Sequence, residues 1–174
     1  MKGVVIYKGK YGSTAQYASW LAEALYLPII DIDSQPAEGL AEYDYVMVGS
    51  PVYVGKLLMK NWLLKNQSNL QHKKIFLFVV CGSTSGNNRM QEIILKKNMP
   101  TGLLKRMEAF FLPGRVVISQ LSWFDRMLLK FGAIWERDPA KKQMMVRGFD
   151  GVKREHVNRL IKRALRYSNA EILQ

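Results

Sequence analysis

Apolar positions along this chain fall into two kinds of run. The first is short, continuous and rich in β-branched residues, as at Val4, Val5 and Ile6, at Val46, Met47 and Val48, and from Ile75 to Val80. Runs of this kind read as strands buried on both faces, the habit of a parallel sheet. The second kind recurs every three or four residues, as at Tyr17, Ala18, Leu21 and Leu25, and reads as helix.

Taken in order, the pattern predicts a strand beginning at Val4, a loop from Gly9 to Thr14 and a helix from Ala15. A second strand is predicted at 28–33 and a third at 44–49, where Pro51 is expected to stop it, with a helix following at 57–64. A fourth strand is predicted at 73–80 and a helix at 89–97, with helical structure extending over 103–111. Residues 113–119 are predicted as the last central strand. Then come a helix over 123–135, a short strand or loop at 143–147 and a closing helix at 152–167. Strands alternate with helices along the whole length, without repeat or linker, so residues 1–174 are expected to form a single α/β domain.

Three strand ends carry candidate chemistry. After the first strand, Gly9 and Gly12 allow a tight turn, Ser13 and Thr14 add hydroxyls, and the following helix directs its free N–H groups into the loop. That is an anion cradle, suited to phosphate. It has neither the Gly-Lys-Ser/Thr ending of a P-loop nor the three-glycine dinucleotide fingerprint, and an ordinary capped turn is the alternative. Asp33 reads as a solvent-facing carboxylate rather than a ribose-binding acid, because that glycine pattern is missing. After the third strand, Ser50, Pro51, Val52, Tyr53, Val54 and Gly55 form a loop with an aromatic at its tip. After the fourth, Cys81, Gly82 and Ser83 open a small polar loop, with Cys81 expected as a buried filler.

Charge changes the picture in the second half. The net charge is +12, with residues 1–100 holding 11 Lys and Arg against 7 Asp and Glu, and residues 101–174 holding 15 against 7. An excess of that size suggests an anionic partner. In the same half, Trp123, Phe124, Met127, Leu128, Phe131, Ile134 and Trp135 share one helical face, with Asp125, Arg126, Lys130 and Glu136 on the other. The plain expectation is a helix covering the sheet edge. The sharper one is a pocket wall or an interfacial helix, through which residues 121–142 touch an anionic membrane surface. Cys81 is the single cysteine, which excludes an internal disulfide, and His72 and His156 are too few for a histidine metal site, so no metal is expected. No apolar run is long enough to span a bilayer, the N-terminus shows no signal pattern, and a cytoplasmic location is expected. Nucleic-acid binding is not expected, since no recognised motif accompanies the charge.

Gly12, Ser13 and Thr14 resemble the Gly-x-Thr end of the phosphate loop in the flavodoxin-like family. Gly9, Lys10 and Tyr11 stand where that family usually has Ser and Thr. Gly49 with Ser50 to Gly55 is similar to the family's Gly-Ser-Pro-x-Tyr-x-Gly loop beside the flavin ring. The resemblance implies a three-layer, doubly wound sandwich on a five-stranded parallel sheet in the order 2-1-3-4-5, with FMN as cofactor. It implies that Gly9 to Thr14 cradle the phosphate, Ser50 to Gly55 hold and stack the ring, and Cys81, Gly82 and Ser83 close its edge. Ser122 to Lys130 resembles a segment of the menaquinone-dependent protoporphyrinogen oxidase-type flavodoxins. That likeness implies an FMN-dependent oxidoreductase passing electrons from a propionate-bearing porphyrinogen to a quinone, with Arg126 and Lys130 as candidates for anion recognition and no catalytic residue assigned. An electron-carrying flavodoxin with protein partners, and a binding domain without flavin, are the alternatives.

Overall fold

The structure is a computed structural model that describes residues 1–82 and 87–170. Its elements are β1 (Gly3–Tyr7), α1 (Ser13–Leu25), β2 (Ile29–Asp31), β3 (Tyr45–Tyr53), β4 (Lys56–Leu57), α2 (Lys60–Lys65), α3 (Gln67–Leu70), β5 (Lys74–Cys81), α4 (Asn88–Asn98), α5 (Thr101–Leu104) and β6 (Met107–Pro113). There follow β7 (Arg115–Val116), α6 (Trp123–Trp135), α7 (Pro139–Arg147), β8 (Phe149–Asp150) and α8 (Asn158–Ala170). Five parallel strands lie in the order β2-β1-β3-β5-β6. Numbered among themselves, these are 2-1-3-4-5.

Alternate side chains of the central strands enter two separate cores. On one face Val4, Ile6, Val46, Val48, Ile75, Leu77 and Val79 pack with Leu63, Leu70, Ile94 and Leu103 of α2 to α5. On the other, Val5, Met47, Phe76, Phe78, Val80, Phe110 and Leu112 meet Tyr17 and Leu21 of α1 and Leu160 and Ala164 of α8. The result is a three-layer sandwich. Gly49 belongs to this packing, because a Cβ there would overlap the Phe78 ring.

Four expectations are corrected. Residues 107–113 are the fifth strand, not helix: Phe110 and Leu112 face α8 while Met107, Ala109 and Phe111 face the opposite core, a period of two. The predicted strand at 113–119 shrinks to β7, which leaves the main sheet and pairs antiparallel with β8, Arg115 opposite Asp150 and Val116 opposite Phe149. Pro51 does not stop β3, which runs on to Tyr53 and turns back into β4, Val52 opposite Leu57. Residues 143–147 belong to α7, whose start Asp138 caps by accepting from the Ala140 N–H.

Between β7 and β8 the chain leaves the sandwich as a helical pair, α6 and α7, standing on this two-stranded stalk. At its return Gly148 has φ 78°, and a Cβ there would overlap the Val116 carbonyl oxygen.

Candidate functional site

The carboxyl ends of β1, β3, β5 and β6 converge under the α6–α7 pair and enclose a cavity of about 570 Å³. That lies within the range of small-molecule and cofactor sites. Its walls are mainly apolar: Val52, Leu58 and Val80 from the sandwich, and Leu121, Leu128, Leu129, Phe131, Trp135 and Phe149 from the appended helices and their stalk.

One end of the cavity is the loop between β1 and α1. Gly12 has φ 82°, a left-handed conformation that glycine adopts readily, and with no side chain it leaves the α1 N-terminus without a side-chain cap. Ser13 and Thr14 are buried beneath it and line the cavity, and the Ser13 Oγ accepts the Arg115 N–H at 3.2 Å. Arg115 also lines the cavity, its Nε lying 2.9 Å from the Asp150 carboxylate.

The opposite wall is the β3–β4 hairpin. Val54 (φ 48°) and Gly55 (φ 71°) are both left-handed at its tip, the pattern of a type I′ turn. Asn98, buried at the end of α4, clamps the hairpin: its Oδ1 accepts the Leu57 N–H at 3.1 Å and its Nδ2 donates to the Gly55 carbonyl at 3.0 Å. Ser50, wholly buried, accepts the Met59 N–H at 3.1 Å. These bonds present Tyr53 to the cavity.

Across the cavity from the sandwich stands Asp125 of α6. The Ser122 Oγ caps its backbone N–H, and the residue is 4% exposed. Its carboxylate receives the Lys10 ammonium at 2.7 Å and the hydroxyls of Tyr11 and Tyr53. The Lys10 ammonium lies 3.9 Å from the centre of the Tyr53 ring. Burial raises the Asp125 pKa, but the bonds from Lys10, Tyr11 and Tyr53 outweigh it and hold the carboxyl well below its usual range. Burial likewise lowers Lys10, and its bonds to Asp125 and Tyr53 more than reverse this. The bond to Asp125 also raises Tyr53.

Of the residues singled out in the sequence, Lys10, Tyr11, Ser13, Thr14, Pro51, Val52, Tyr53, Val54, Cys81 and Gly82 line this cavity. Cys81 is half-buried at the wall rather than a core filler, because β5 delivers its last residue to the sheet edge where the cavity opens. Gly9, Gly12, Ser50 and Gly55 do not line it; Ser50 braces the hairpin from the core, and Gly12 shapes the loop. Ser83 lies outside the described residues. Arg126 and Lys130 are exposed and away from the cavity, Arg126 donating to the Ile118 carbonyl at 3.2 Å. Asp33 is an exposed partner of Lys8 at 2.5 Å. Asp125, expected on a solvated face, is the correction with most consequence for the site. A signal for it exists in the sequence: it stands four and eight residues before Leu129 and Ala133, on the face of α6 that turns inward.

Residues 4–142 match the family described as Flavodoxin domain. The chain belongs to the flavodoxin domain family. Its cofactor is FMN, and its function lies in electron transfer.

This flavodoxin is also similar to several solved structures. Oxidised flavodoxin 2 from Bacillus cereus is 19% identical, covering 65% of this chain and 84% of that one at a TM-score of 0.48. A flavodoxin from the domain Archaea is 15% identical, covering 65% and 83% at 0.44. Rubredoxin oxygen:oxidoreductase from Desulfovibrio gigas is 14% identical, covering 94% and 37% at 0.42. No curated protein sequence matches the chain.

The donor set fits FMN. An uncapped helix start with Ser13 and Thr14 beside it suits the phosphate, and the apolar slot beside Tyr53 suits a flat aromatic ring. Bound FMN supplies the redox chemistry, and the chain supplies position, field and exclusion of water.

Proposed function

We propose that this flavodoxin is an FMN-dependent dehydrogenase that takes hydrogens from a propionate-bearing porphyrinogen and passes the electrons to a quinone at a membrane surface. One observation carries the reading. Phe131 and Trp135 line the cofactor cavity and are also 55% and 83% exposed, so the same two apolar side chains belong both to the cavity wall and to the outer surface of α6. A carrier that exchanges electrons with soluble proteins has no need of such a surface, whereas a bulky tetrapyrrole and a lipid-soluble acceptor do.

The exterior of the same helices supports the membrane part of the reading. Trp123, Phe124 and Ile134 of α6 and Val146 of α7 are exposed, with Arg126, Lys130, Arg137, Lys142 and Arg147 around them. Aromatic side chains among cations suit the headgroup region of an anionic bilayer, where each cation contributes about 1 kcal/mol. No helix among the described residues is long and apolar enough to cross a membrane, so contact would be peripheral.

Within the site, Ser13 and Thr14 would hold the phosphate and Tyr53 the ring. Asp125, fixed as a carboxylate by three donors, is too weak a base to take substrate protons near neutral pH. Its place is structural and electrostatic.

The test is anaerobic absorbance of the FMN-loaded protein. Protoporphyrinogen is expected to bleach the flavin, and a menaquinone analogue to restore its colour. Flavin that stays oxidised with porphyrinogen, yet is reduced by a flavodoxin reductase, would overturn the reading in favour of an electron carrier.

A further inference from the structure

Helix α6 is fixed to the sandwich on one face and open along another. Asp125, bound by Lys10, Tyr11 and Tyr53, holds the helix over the cavity. Phe124, Leu128, Phe131 and Trp135 stand four, three and four residues apart, so they form a single stripe along the helix. The stripe runs for about 16 Å. All four side chains are exposed; the last three line the cavity, whereas Phe124 lies beyond it. The stripe therefore begins in the cavity wall and leads out of it toward the start of α6.

Packing of α6 does not account for these residues, since the buried side chains of the helix are Asp125 and Ala133, on a different face. The stripe also carries no charge, and Arg126 and Lys130 fall on the opposite side of the helix at 100° per residue. Among the described residues two cations line the cavity, Lys10 and Arg115, and each is held by a carboxylate, Asp125 at 2.7 Å and Asp150 at 2.9 Å. Propionates gain nothing from such a wall. A long hydrocarbon chain gains from every part of it.

We propose that Phe124, Leu128, Phe131 and Trp135 hold the isoprenoid tail of the quinone, whose ring enters the cavity to meet the flavin. The inference rests on the reading of a quinone acceptor and adds the residues that select it. The tail leaves the cavity past Phe124 and continues into the membrane surface on which the same helix lies. A quinone with a tail is thereby favoured over the bare ring.

The test uses the FMN-loaded full chain in mild detergent, its flavin reduced beforehand with stoichiometric dithionite, so that no porphyrinogen is needed. Reoxidation, in which two electrons and two protons pass to the quinone, is followed at the flavin absorbance. The two acceptors are menadione, a naphthoquinone without a tail, and the same ring carrying a farnesyl tail. The readout is the ratio of their second-order rate constants, tailed to bare. Phe131→Ser is expected to lower this ratio at least about tenfold, the size of losing one aromatic contact with an apolar chain. Phe124→Ser, outside the cavity, is expected to lower it less. Ile134→Ser, which removes an exposed apolar side chain off the stripe, is expected to leave it as in wild type. Farnesol, a tail without a ring, is expected to slow the tailed quinone and not menadione, and to shift tryptophan emission to the blue saturably in wild type but not in Phe131→Ser.

A ratio unchanged in both Phe131→Ser and Phe124→Ser would overturn the tail site. An equal fall in Ile134→Ser would assign the preference to detergent covering the whole helix and overturn it likewise. Slowing of menadione by farnesol would place the chain in the ring's position and overturn the stripe. If neither quinone reoxidises the flavin, the quinone reading itself is overturned, whereas a failure confined to the tail leaves that reading standing.

Discussion

Removing the Asn98 side chain tests whether the Tyr53 hairpin depends on its brace. In Asn98→Ala the Leu57 N–H, 3.1 Å from Asn98 Oδ1, loses its partner in a place water does not reach, since Leu57 is 2% exposed. A buried amide left unpaired costs about 1–3 kcal/mol. The Gly55 carbonyl loses a 3.0 Å bond but lies at an exposed turn where water can replace it, and the Ile94 carbonyl, 2.9 Å from Asn98 Nδ2, retains its helical environment. These together add about 1 kcal/mol at most. The expected loss is therefore about 1–4 kcal/mol, which for a chain of this length lowers Tm by roughly 2–16 °C. Urea unfolding of the apoprotein at constant m gives the stability change, and flavin fluorescence titration gives the FMN Kd, expected to weaken because Tyr53 is no longer held. A loss below about 0.5 kcal/mol with unchanged FMN affinity would refute the account, because surface substitutions alone reach that size.

Three further outcomes follow from single features. Val54→Asn replaces a left-handed, 63% exposed valine with the residue that type I′ turns prefer before glycine, and is expected to stabilise by about 1 kcal/mol in urea unfolding; no gain would mean the tip is not strained. Glu108, bonded by Arg163 at 2.8 and 2.9 Å, has its pKa lowered by Arg163 and, more weakly, by Lys74. Its stabilising effect is thus present above the ordinary carboxyl pKa and lost as pH falls through the depressed one, and Glu108→Gln should flatten the stability profile on the acid side. Replacing Trp123 and Phe124 with Ser should reduce sedimentation with phosphatidylglycerol vesicles while leaving FMN binding intact, since neither lines the cavity; undiminished vesicle binding would discard α6 as the membrane contact.

The parts of the fold legible in the sequence are those whose signal is local. Continuous apolar runs mark β1, β3 and β5 because both faces of these strands are buried, and the loops after them stand out by their glycine, hydroxyl and tyrosine positions. β6 is hidden because Phe110 and Phe111 are adjacent, which blurs a period of two, and because Leu103 and Leu104 just before them do belong to a helix. Pro113 reads as the opening of a strand and proves to be its end. In α6 the periodicity identifies the helix and its apolar arc but not the face that is covered: Trp123, Phe124 and Ile134 remain open to solvent while Asp125, Leu129 and Ala133 turn inward. Local pattern cannot supply the partners of Asp125, since Tyr11 is 114 residues away from it in the chain. Arg115 is likewise hidden, its partner Asp150 standing on the far side of two helices.

The β7–β8 stalk makes α6 and α7 a portable unit. Because Val116 faces Phe149 in register, the polypeptide leaves the sandwich and returns to it at neighbouring positions. Everything between can be exchanged for a two-residue turn without cutting any strand of the main sheet, so a chain with Asn-Gly joining Val116 to Phe149 is expected to fold and keep its phosphate loop. A choice of redox partner encoded in such a cassette can be rewritten, by evolution or by an engineer, while the sandwich and its cofactor loops stay as they are.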